Sequence, residues 1–167
     1  MVLTKDQSKA KEILVKFLEA KPQNNEDYFY TLAGFAGTGK STLMNIILKC
    51  LKSNVKVVVS APTHTAKEVI AGFTNRNAET IQALLGLRPN LDLEEFDPNK
   101  PAFSVIAKER IQFYNVLIID EASMLNKAMV KLIRTKAIEN KVKVIFMGEH
   151  LKNTYCPCKT PLIAGIS

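Results

Sequence analysis

Apolar positions along the chain follow the spacing of a helix in some segments and form short runs typical of strands in others. The first of these segments, near the N-terminus, predicts a helix. Apolar residues recur there at every third or fourth position, as in an amphipathic helix: Ala10, Ile13, Leu14, Phe17 and Leu18. Thr4 and Gln7 match the capping box S/T-x-x-E/Q at the start of this helix. Lys21-Pro22 ends the predicted helix, and a polar loop over residues 23–27 follows.

Strands and helices alternate along the rest of the chain. Short runs rich in apolar or β-branched residues predict strands over residues 28–33, 55–59, 116–119 and 142–147. Helices are predicted over residues 40–52, 64–73, 80–87 and 126–138. Residues 89–101, with three prolines and four acidic residues, indicate a surface excursion. Because apolar strands between helices are typical of covered sheets, the pattern predicts an α/β fold, a parallel sheet with helices on both faces.

Length and composition limit the class of protein. A chain of 167 residues suffices for one domain with a core and is too short for two lobes of ordinary size. Its apolar fraction of 47% and charged fraction of 23% are typical of a soluble globular protein. No apolar run reaches the roughly 18 residues that span a bilayer, and the N-terminus has no signal-peptide core. We therefore expect an intracellular, cytoplasmic, soluble chain with no membrane partner.

The charge and the cysteines change this picture little. A net charge of +7 suits a polyanionic partner, but a lysine-rich soluble surface gives the same charge. Cys50 lies in an apolar helical stretch, which predicts a core position. His150, Cys156 and Cys158 suggest a metal site, but a closed zinc site needs four ligands, usually with wider cysteine spacing. A tail altered by truncation, a frameshift or divergence in a viral gene is the favoured interpretation.

The strongest chemical signal is a glycine-rich loop between a predicted strand and a predicted helix. It matches the pattern G-x-x-x-x-G-K-[ST] in full, as Gly34-Phe35-Ala36-Gly37-Thr38-Gly39-Lys40-Ser41. Glycines allow positive φ angles, so that backbone N–H groups face phosphates, and the following helix adds its dipole. Lys40 can reach the β and γ phosphates, and the Ser41 hydroxyl can ligate Mg²⁺. The sequence therefore predicts a P-loop ATPase domain that binds ATP and Mg²⁺, rather than a glycine-rich turn with an incidental lysine.

A second candidate motif follows the predicted strand over residues 116–119. The strand leads directly into Asp120 and Glu121, and parallel α/β sheets bind ligands at this carboxyl edge. Asp120 would hold the Mg²⁺ shell, and Glu121 would activate the attacking water as a general base. Taken alone, the two acids also fit a strand that ends at the solvent boundary. The complete phosphate loop favours the catalytic interpretation, with Lys40, Asp120 and Glu121 as catalytic residues.

Three segments, in this order and spacing, resemble successive motifs of superfamily 1 DNA helicases of the RecD/Dda type. They are residues 33–41, residues 61–67 (Ala-Pro-Thr-His-Thr-Ala-Lys) and residues 120–124 (Asp-Glu-Ala-Ser-Met). The resemblance runs from about residue 3 to residue 148. It implies a RecA-like ATPase lobe over residues 1–149, followed by a divergent or truncated tail over residues 150–167.

The resemblance also implies roles for individual residues. Gln7 matches the glutamine that recognises adenine, although it also fits a helix cap alone. Pro62, Thr63 and His64 match the segment that contacts the backbone of single-stranded DNA, although a strand-to-helix turn without a ligand fits them too. Residues 80–86 resemble a further segment near DNA, but Gln82 stands where the family usually has histidine. With Gln7, the expected nucleotide-binding residues are Gly34, Ala36, Gly37, Thr38, Gly39, Lys40, Ser41 and Thr42, and the expected Mg²⁺ ligands are Ser41 and Asp120.

The chain departs from the family after the last predicted strand. The family reads Gly-Asp, two variable residues, then Gln-Leu-Pro-Pro, whereas this chain reads Gly148-Glu149-His150-Leu151-Lys152. Lys152 thus replaces the γ-phosphate-sensing glutamine. Nothing follows Ser167, so we expect the second motor lobe and its arginine finger to be missing, unless a partner protein supplies them.

Two functions remain open at this stage. One is a motor lobe that hydrolyses ATP, contacts single-stranded DNA and does not unwind alone. The other is a catalytically weak module that binds ATP and either DNA or a partner. An unrelated P-loop ATPase or kinase is disfavoured by residues 62–64.

Overall fold

A computed structural model describes residues 3–35, 37–61, 77–87, 97, 99 and 107–149. The helices and strands, in chain order, are α1 (Lys5–Glu19), β1 (Phe29–Ala33), α2 (Lys40–Cys50), β2 (Val57–Ala61), β3 (Asn77–Thr80), α3 (Ile81–Leu85), β4 (Val116–Ile119), α4 (Lys127–Glu139) and β5 (Lys143–Gly148). Short 3₁₀ turns cover Asn25–Tyr28, Ile111–Phe113 and Ala122–Met124.

The strands form one parallel sheet in the order β1-β5-β4-β2-β3. At their carboxyl ends, Ala33 pairs with Gly148, Ile119 with Phe146, and Ala61 with Thr80. All the strands therefore end at the same edge of the sheet, where the segments that follow β1 and β4 begin.

Side chains of β1, β2, β4 and β5 alternate between two buried clusters. On one face, α1 and α2 cover a cluster that includes Tyr30, Leu32, Ile118 and Ile145. On the other face, α3 and α4 cover a cluster that includes Phe29, Leu117, Val144 and Phe146. Hydrophobic burial on both sides explains why the central strand β4 is apolar at every position. The predicted α/β fold, a parallel sheet with helices on both faces, is confirmed.

The start of α1 forms the predicted capping box. The Thr4 hydroxyl oxygen accepts a hydrogen bond from the Gln7 amide at 3.2 Å, and the Gln7 side-chain oxygen accepts from the Thr4 amide at 3.1 Å. Two N–H groups that the helix leaves without carbonyl partners are satisfied in this way.

Three sequence-based expectations differ from the structure. β2 begins at Val57 rather than at residue 55, because the amide of Lys56 bonds to the Asn115 side chain at 2.8 Å. β3 is not predicted by the apolar pattern. The expectation that Cys50 lies in the core is wrong, because this cysteine is exposed. It lies off the buried stripe of α2, which consists of Leu43, Met44, Ile47 and Leu48.

Some expectations fall outside the described residues. These are the helix over residues 64–73, the tail over residues 150–167, and the excursion over residues 89–101 apart from Asp97 and Asn99. Within the described ranges, the helices are all too short or too polar to cross a bilayer.

Candidate nucleotide site

The phosphate loop connects β1 to α2 and is tied to the sheet at its start. The Gly34 amide donates to the Gly148 carbonyl at the end of β5, at 3.2 Å. Gly37 and Gly39 have φ angles of 76° and 80°, in the left-handed region that favours glycine. Among the described residues, no side chain caps the start of α2. The N–H groups of its first turn are therefore left without a side-chain acceptor, as an anion-binding helix start requires.

Lys40 begins α2 and bends back over the loop. Its ammonium donates to the carbonyl oxygens of Gly34 at 2.6 Å and Phe35 at 2.8 Å. An ammonium has three protons and a mobile stem, so it can exchange a carbonyl for a phosphate oxygen. Ser41 and Thr42 follow in the same helical turn, while Ala36 lies outside the described residues. The loop thus combines a cation with glycine N–H groups, the donor set that a polyphosphate requires.

Gln7 lies against this loop. Its side-chain Nε2 donates to the Thr38 carbonyl at 3.0 Å, and the residue is partly buried. A Cβ atom at Gly39 would lie 2.7 Å from the same nitrogen. Gln7 therefore caps α1 and also contacts the phosphate loop, so the interpretation of Gln7 as a helix cap alone is incomplete.

Asp120 and Glu121 leave the sheet directly after β4. The Asp120 amide donates to the Ser60 carbonyl of β2 at 2.9 Å, and one Asp120 carboxylate oxygen accepts from the Glu121 amide at 2.9 Å. Glu121 is exposed and has φ 51° and ψ 35°. This left-handed conformation costs a non-glycine residue on the order of 1 kcal/mol. Such strain is common where a side chain must point in a functional direction, and the sequence pattern did not predict it.

The sheet order brings a third acidic residue to this edge. β5 lies between β1, which leads into the phosphate loop, and β4, which leads into Asp120. Glu149 directly follows β5 and is partly buried. The phosphate loop, Glu149 and the pair Asp120–Glu121 therefore leave neighbouring strands at one edge of the sheet.

A protein-family model described as an AAA domain matches residues 19–153, which is most of the chain. The chain belongs to this AAA domain family. It is 32% identical over 133 residues to the ATP-dependent DNA helicase dda of Enterobacteria phage T4, an overlap of 78% of this chain and 28% of that protein. It is 31% identical over 121 residues to the ATP-dependent RecD2 DNA helicase of Deinococcus radiodurans, covering 71% of this chain and 15% of the relative.

A third relative comes from a virus. Uncharacterized protein R530 of Acanthamoeba polyphaga mimivirus is 32% identical over 156 residues, with 80% of this chain and 30% of that protein covered. The family match and the two helicase relatives confirm the resemblance to the motor domain of RecD/Dda-type helicases. The chain spans less than a third of the length of each of these relatives.

The expected DNA-contacting residues of this AAA domain, Pro62, Thr63 and His64, lie outside the described residues. β2 ends at Ala61, directly before them, and Ser60 is bonded to Asp120. The second expected DNA segment, residues 80–86, contains α3 and the residue that caps each of its ends. Its Gln82 is buried, with 6% of its surface exposed.

The AAA domain also contains a buried carboxylate that the sequence pattern missed. Glu79 in β3 is 9% exposed. Its carboxylate accepts a hydrogen bond from the Tyr114 hydroxyl at 2.5 Å and lies 3.1 Å from the Arg110 guanidinium. Because Tyr114 is 35 residues away along the chain, no local pattern could indicate this contact. The contacts hold β3 against the segment that precedes β4.

Two side chains provide oxygen atoms of the kind that bind a magnesium ion. The Ser41 hydroxyl and the Asp120 carboxylate are hard oxygen ligands, which Mg²⁺ combines with phosphate oxygens and water. In the described part of the chain, at this edge or elsewhere, no three or more histidine, cysteine or acidic residues form a cluster that could hold a metal ion. His150, Cys156 and Cys158, the group considered for zinc, lie outside that part.

Proposed function

We propose that the chain is the ATP-hydrolysing motor lobe of a DNA helicase and that it contacts single-stranded DNA. One observation carries the proposal: a phosphate loop with a lysine folded over it shares a sheet edge with Asp120 and Glu121. The names of two relatives, both ATP-dependent DNA helicases, support the same reading.

In this proposal the triphosphate binds at the start of α2. Lys40 would exchange its carbonyl partners for β- and γ-phosphate oxygens, and the loop N–H groups would donate to the remaining oxygens. Ser41 and Asp120 would hold Mg²⁺, which would neutralise part of the phosphate charge. Gln7 would recognise adenine.

Hydrolysis would use Glu121 as the general base. Its carboxylate accepts a proton from a water molecule whose oxygen attacks the γ phosphorus. The bond between this phosphorus and the β–γ bridging oxygen breaks, which leaves ADP and phosphate. Lys40 would stabilise the charge that develops on the phosphate oxygens. Exposure of Glu121 supports this role, because a general base must reach a water molecule.

Single-stranded DNA would run over Pro62, Thr63 and His64. These residues directly follow β2 in the sequence, and the hydrogen bond from the Asp120 amide to the Ser60 carbonyl joins β2 to the proposed nucleotide edge. This bond is a short route by which a change at the phosphates could reach the DNA segment. A net charge of +7 favours a polyanion in addition.

We also propose that a partner protein supplies a second motor lobe, with an arginine finger that faces the nucleotide. The side chain of Phe35, in the phosphate loop itself, is 56% exposed. A large apolar side chain at the rim of a nucleotide site fits a surface that another lobe covers.

Nucleotide titration by calorimetry tests the proposal. Lys40→Ala should weaken Mg-ATP binding by at least about tenfold, because it removes a charge-assisted contact to phosphate. Lys49→Ala is the matched control, since it removes an exposed lysine from the last turn of the same helix. Its affinity should stay within about twofold of the wild type. Equal affinities for wild type and Lys40→Ala would remove the basis of the proposal.

A further inference from the structure

We infer that Gln7 is a positioning residue for the phosphate loop, in addition to its proposed contact with adenine. Its side-chain amide holds the peptide between Thr38 and Gly39 in the orientation that binds phosphate. The inference rests on the proposed ATP site. It assigns to Gln7 a contribution that does not depend on the base of the nucleotide.

Both polar atoms of the Gln7 side-chain amide form hydrogen bonds. Oε1 accepts from the Thr4 amide at 3.1 Å, and Nε2 donates to the Thr38 carbonyl at 3.0 Å. The backbone of Gln7 is itself held, because its amide donates to the Thr4 hydroxyl. α1 is anchored in the core through the fully buried Leu14. The side chain therefore transmits the position of a packed helix to the loop.

The Thr38–Gly39 peptide is the part of the loop that most needs such a hold. Gly37 precedes this peptide and Gly39 forms its second half, and both have positive φ angles. Glycine backbones rotate more readily than those of other residues. In a planar trans peptide, the carbonyl and the following N–H point in opposite directions. A hydrogen bond to the Thr38 carbonyl therefore also directs the Gly39 N–H away from Gln7. In the proposed function, that N–H belongs to the phosphate-binding set.

The other polar groups of Thr38 are turned away from Gln7. Its hydroxyl donates to the Phe35 carbonyl at 2.8 Å, and its amide lies 3.4 Å from the same oxygen. The threonine is 5% exposed, so its side chain is packed in place. The Thr38 carbonyl is thus held by Gln7, and the rest of Thr38 is held by the start of the loop.

Gly39 permits this close approach. A Cβ atom at this position would lie 2.7 Å from Gln7 Nε2, closer than such atoms ever come, and would displace the amide. Positioning and base recognition are also compatible. Nε2 has a second proton and Oε1 a second lone pair, which suffice for two hydrogen bonds to adenine.

Inorganic tripolyphosphate contains the three phosphates of ATP but no adenine. Its binding therefore reports the positioning role of Gln7 without base recognition. Gln7→Met retains the length and packing of the side chain but removes the donor. We expect it to weaken binding of Mg²⁺-tripolyphosphate by about three- to tenfold, the usual worth of a neutral hydrogen bond, and binding of Mg-ATP by at least as much. Glu12→Gly is the matched control. It lowers the melting temperature by weakening α1 at an exposed position away from Gln7, but it leaves Nε2 on the Thr38 carbonyl, so tripolyphosphate affinity should stay within about twofold of the wild type.

The possible outcomes are distinct. If Gln7→Met weakens ATP binding and leaves tripolyphosphate binding unchanged, Gln7 reads the base alone and the inference is wrong. The inference is also wrong if Glu12→Gly weakens tripolyphosphate binding as much as Gln7→Met, since the effect would then come from the stability of α1. A wild-type chain that binds ATP but not tripolyphosphate contradicts it as well. Failure of the wild type to bind either compound would instead overturn the proposed function, and the inference with it.

Discussion

The Lys143 ammonium, at the start of β5, donates a hydrogen bond to the Leu18 carbonyl at 2.8 Å. It donates two more, to the carbonyls of Phe17 and Ala20, each at 2.5 Å. The last carbonyls of a helix have no partners within the helix, so a lysine from a distant strand caps the end of α1. Burial lowers the pKa of Lys143, and the nearby Asp27 carboxylate partly opposes this shift.

Lys143→Met should therefore destabilise the fold. Methionine fills a similar volume but removes the ammonium donor from three partly buried hydrogen bonds to carbonyls. We expect the free energy of unfolding to fall by about 1–3 kcal/mol in urea titrations at neutral pH. Lys141→Met, at an exposed position next to β5, is the matched control and should change it by less than about 0.5 kcal/mol. Equal stability of the two variants would show that the contact contributes nothing.

Because Glu121 has a left-handed backbone conformation, we expect this residue to lower the stability of the fold while it serves hydrolysis. Glycine adopts this conformation without the steric cost that alanine has. Glu121→Gly should therefore be more stable than Glu121→Ala by about 1 kcal/mol, while both variants lose hydrolysis. Thermal unfolding of the two proteins measures the difference. A less stable glycine variant would mean that Glu121 is not strained.

The fold was predictable where a short stretch of sequence determines the local structure. β4 is apolar at every position because both of its faces are covered, and the glycines of the phosphate loop have the positive φ that its motif requires. The start of α1 was predictable as well, because a capping box needs only residues within one turn.

What could not be predicted depends on contacts between distant residues. β3 is largely polar, and Glu79 is tolerated in it because Tyr114 and Arg110 approach from another part of the chain. The contact between Gln7 and Thr38 spans 31 residues, so no periodicity indicates it. Cys50 lies within an apolar stretch but just beside its buried stripe, and a difference of one helical position decides its exposure.

Single-stranded DNA should bind weakly, with little sequence preference and with an affinity that falls steeply as salt rises. Contacts to phosphates release counterions, whereas contacts to bases do not. A filter-binding series with oligo-dT and oligo-dA over a range of salt concentrations measures both properties. His64→Ala should weaken DNA binding and leave ATP affinity unchanged. A flat response to salt would count against DNA contact through the backbone.

A protein of these 167 residues should not unwind duplex DNA by itself. In the proposed function, the phosphate loop, Asp120 and Glu121 would form one wall of a nucleotide cleft, and strand movement would require a second lobe that closes on it. An arginine finger is worth roughly 10³ to 10⁵ in rate in other nucleotide hydrolases. Strand displacement on a forked duplex with excess ATP is the measurement. Displacement that disappears in Lys40→Ala would show that one lobe is sufficient.

Steady-state ATP hydrolysis, with and without single-stranded DNA, tests the central claim most directly. We expect slow hydrolysis by the wild type that requires Mg²⁺ and increases when DNA is added. Glu121→Gln should bind ATP as tightly as the wild type and hydrolyse it at least about 100-fold more slowly, because the amide cannot accept the proton from water. Glu12→Gln, at an exposed position of α1, should hydrolyse ATP like the wild type. Equal rates for wild type and Glu121→Gln would contradict the assignment of this sheet edge as the site of ATP hydrolysis.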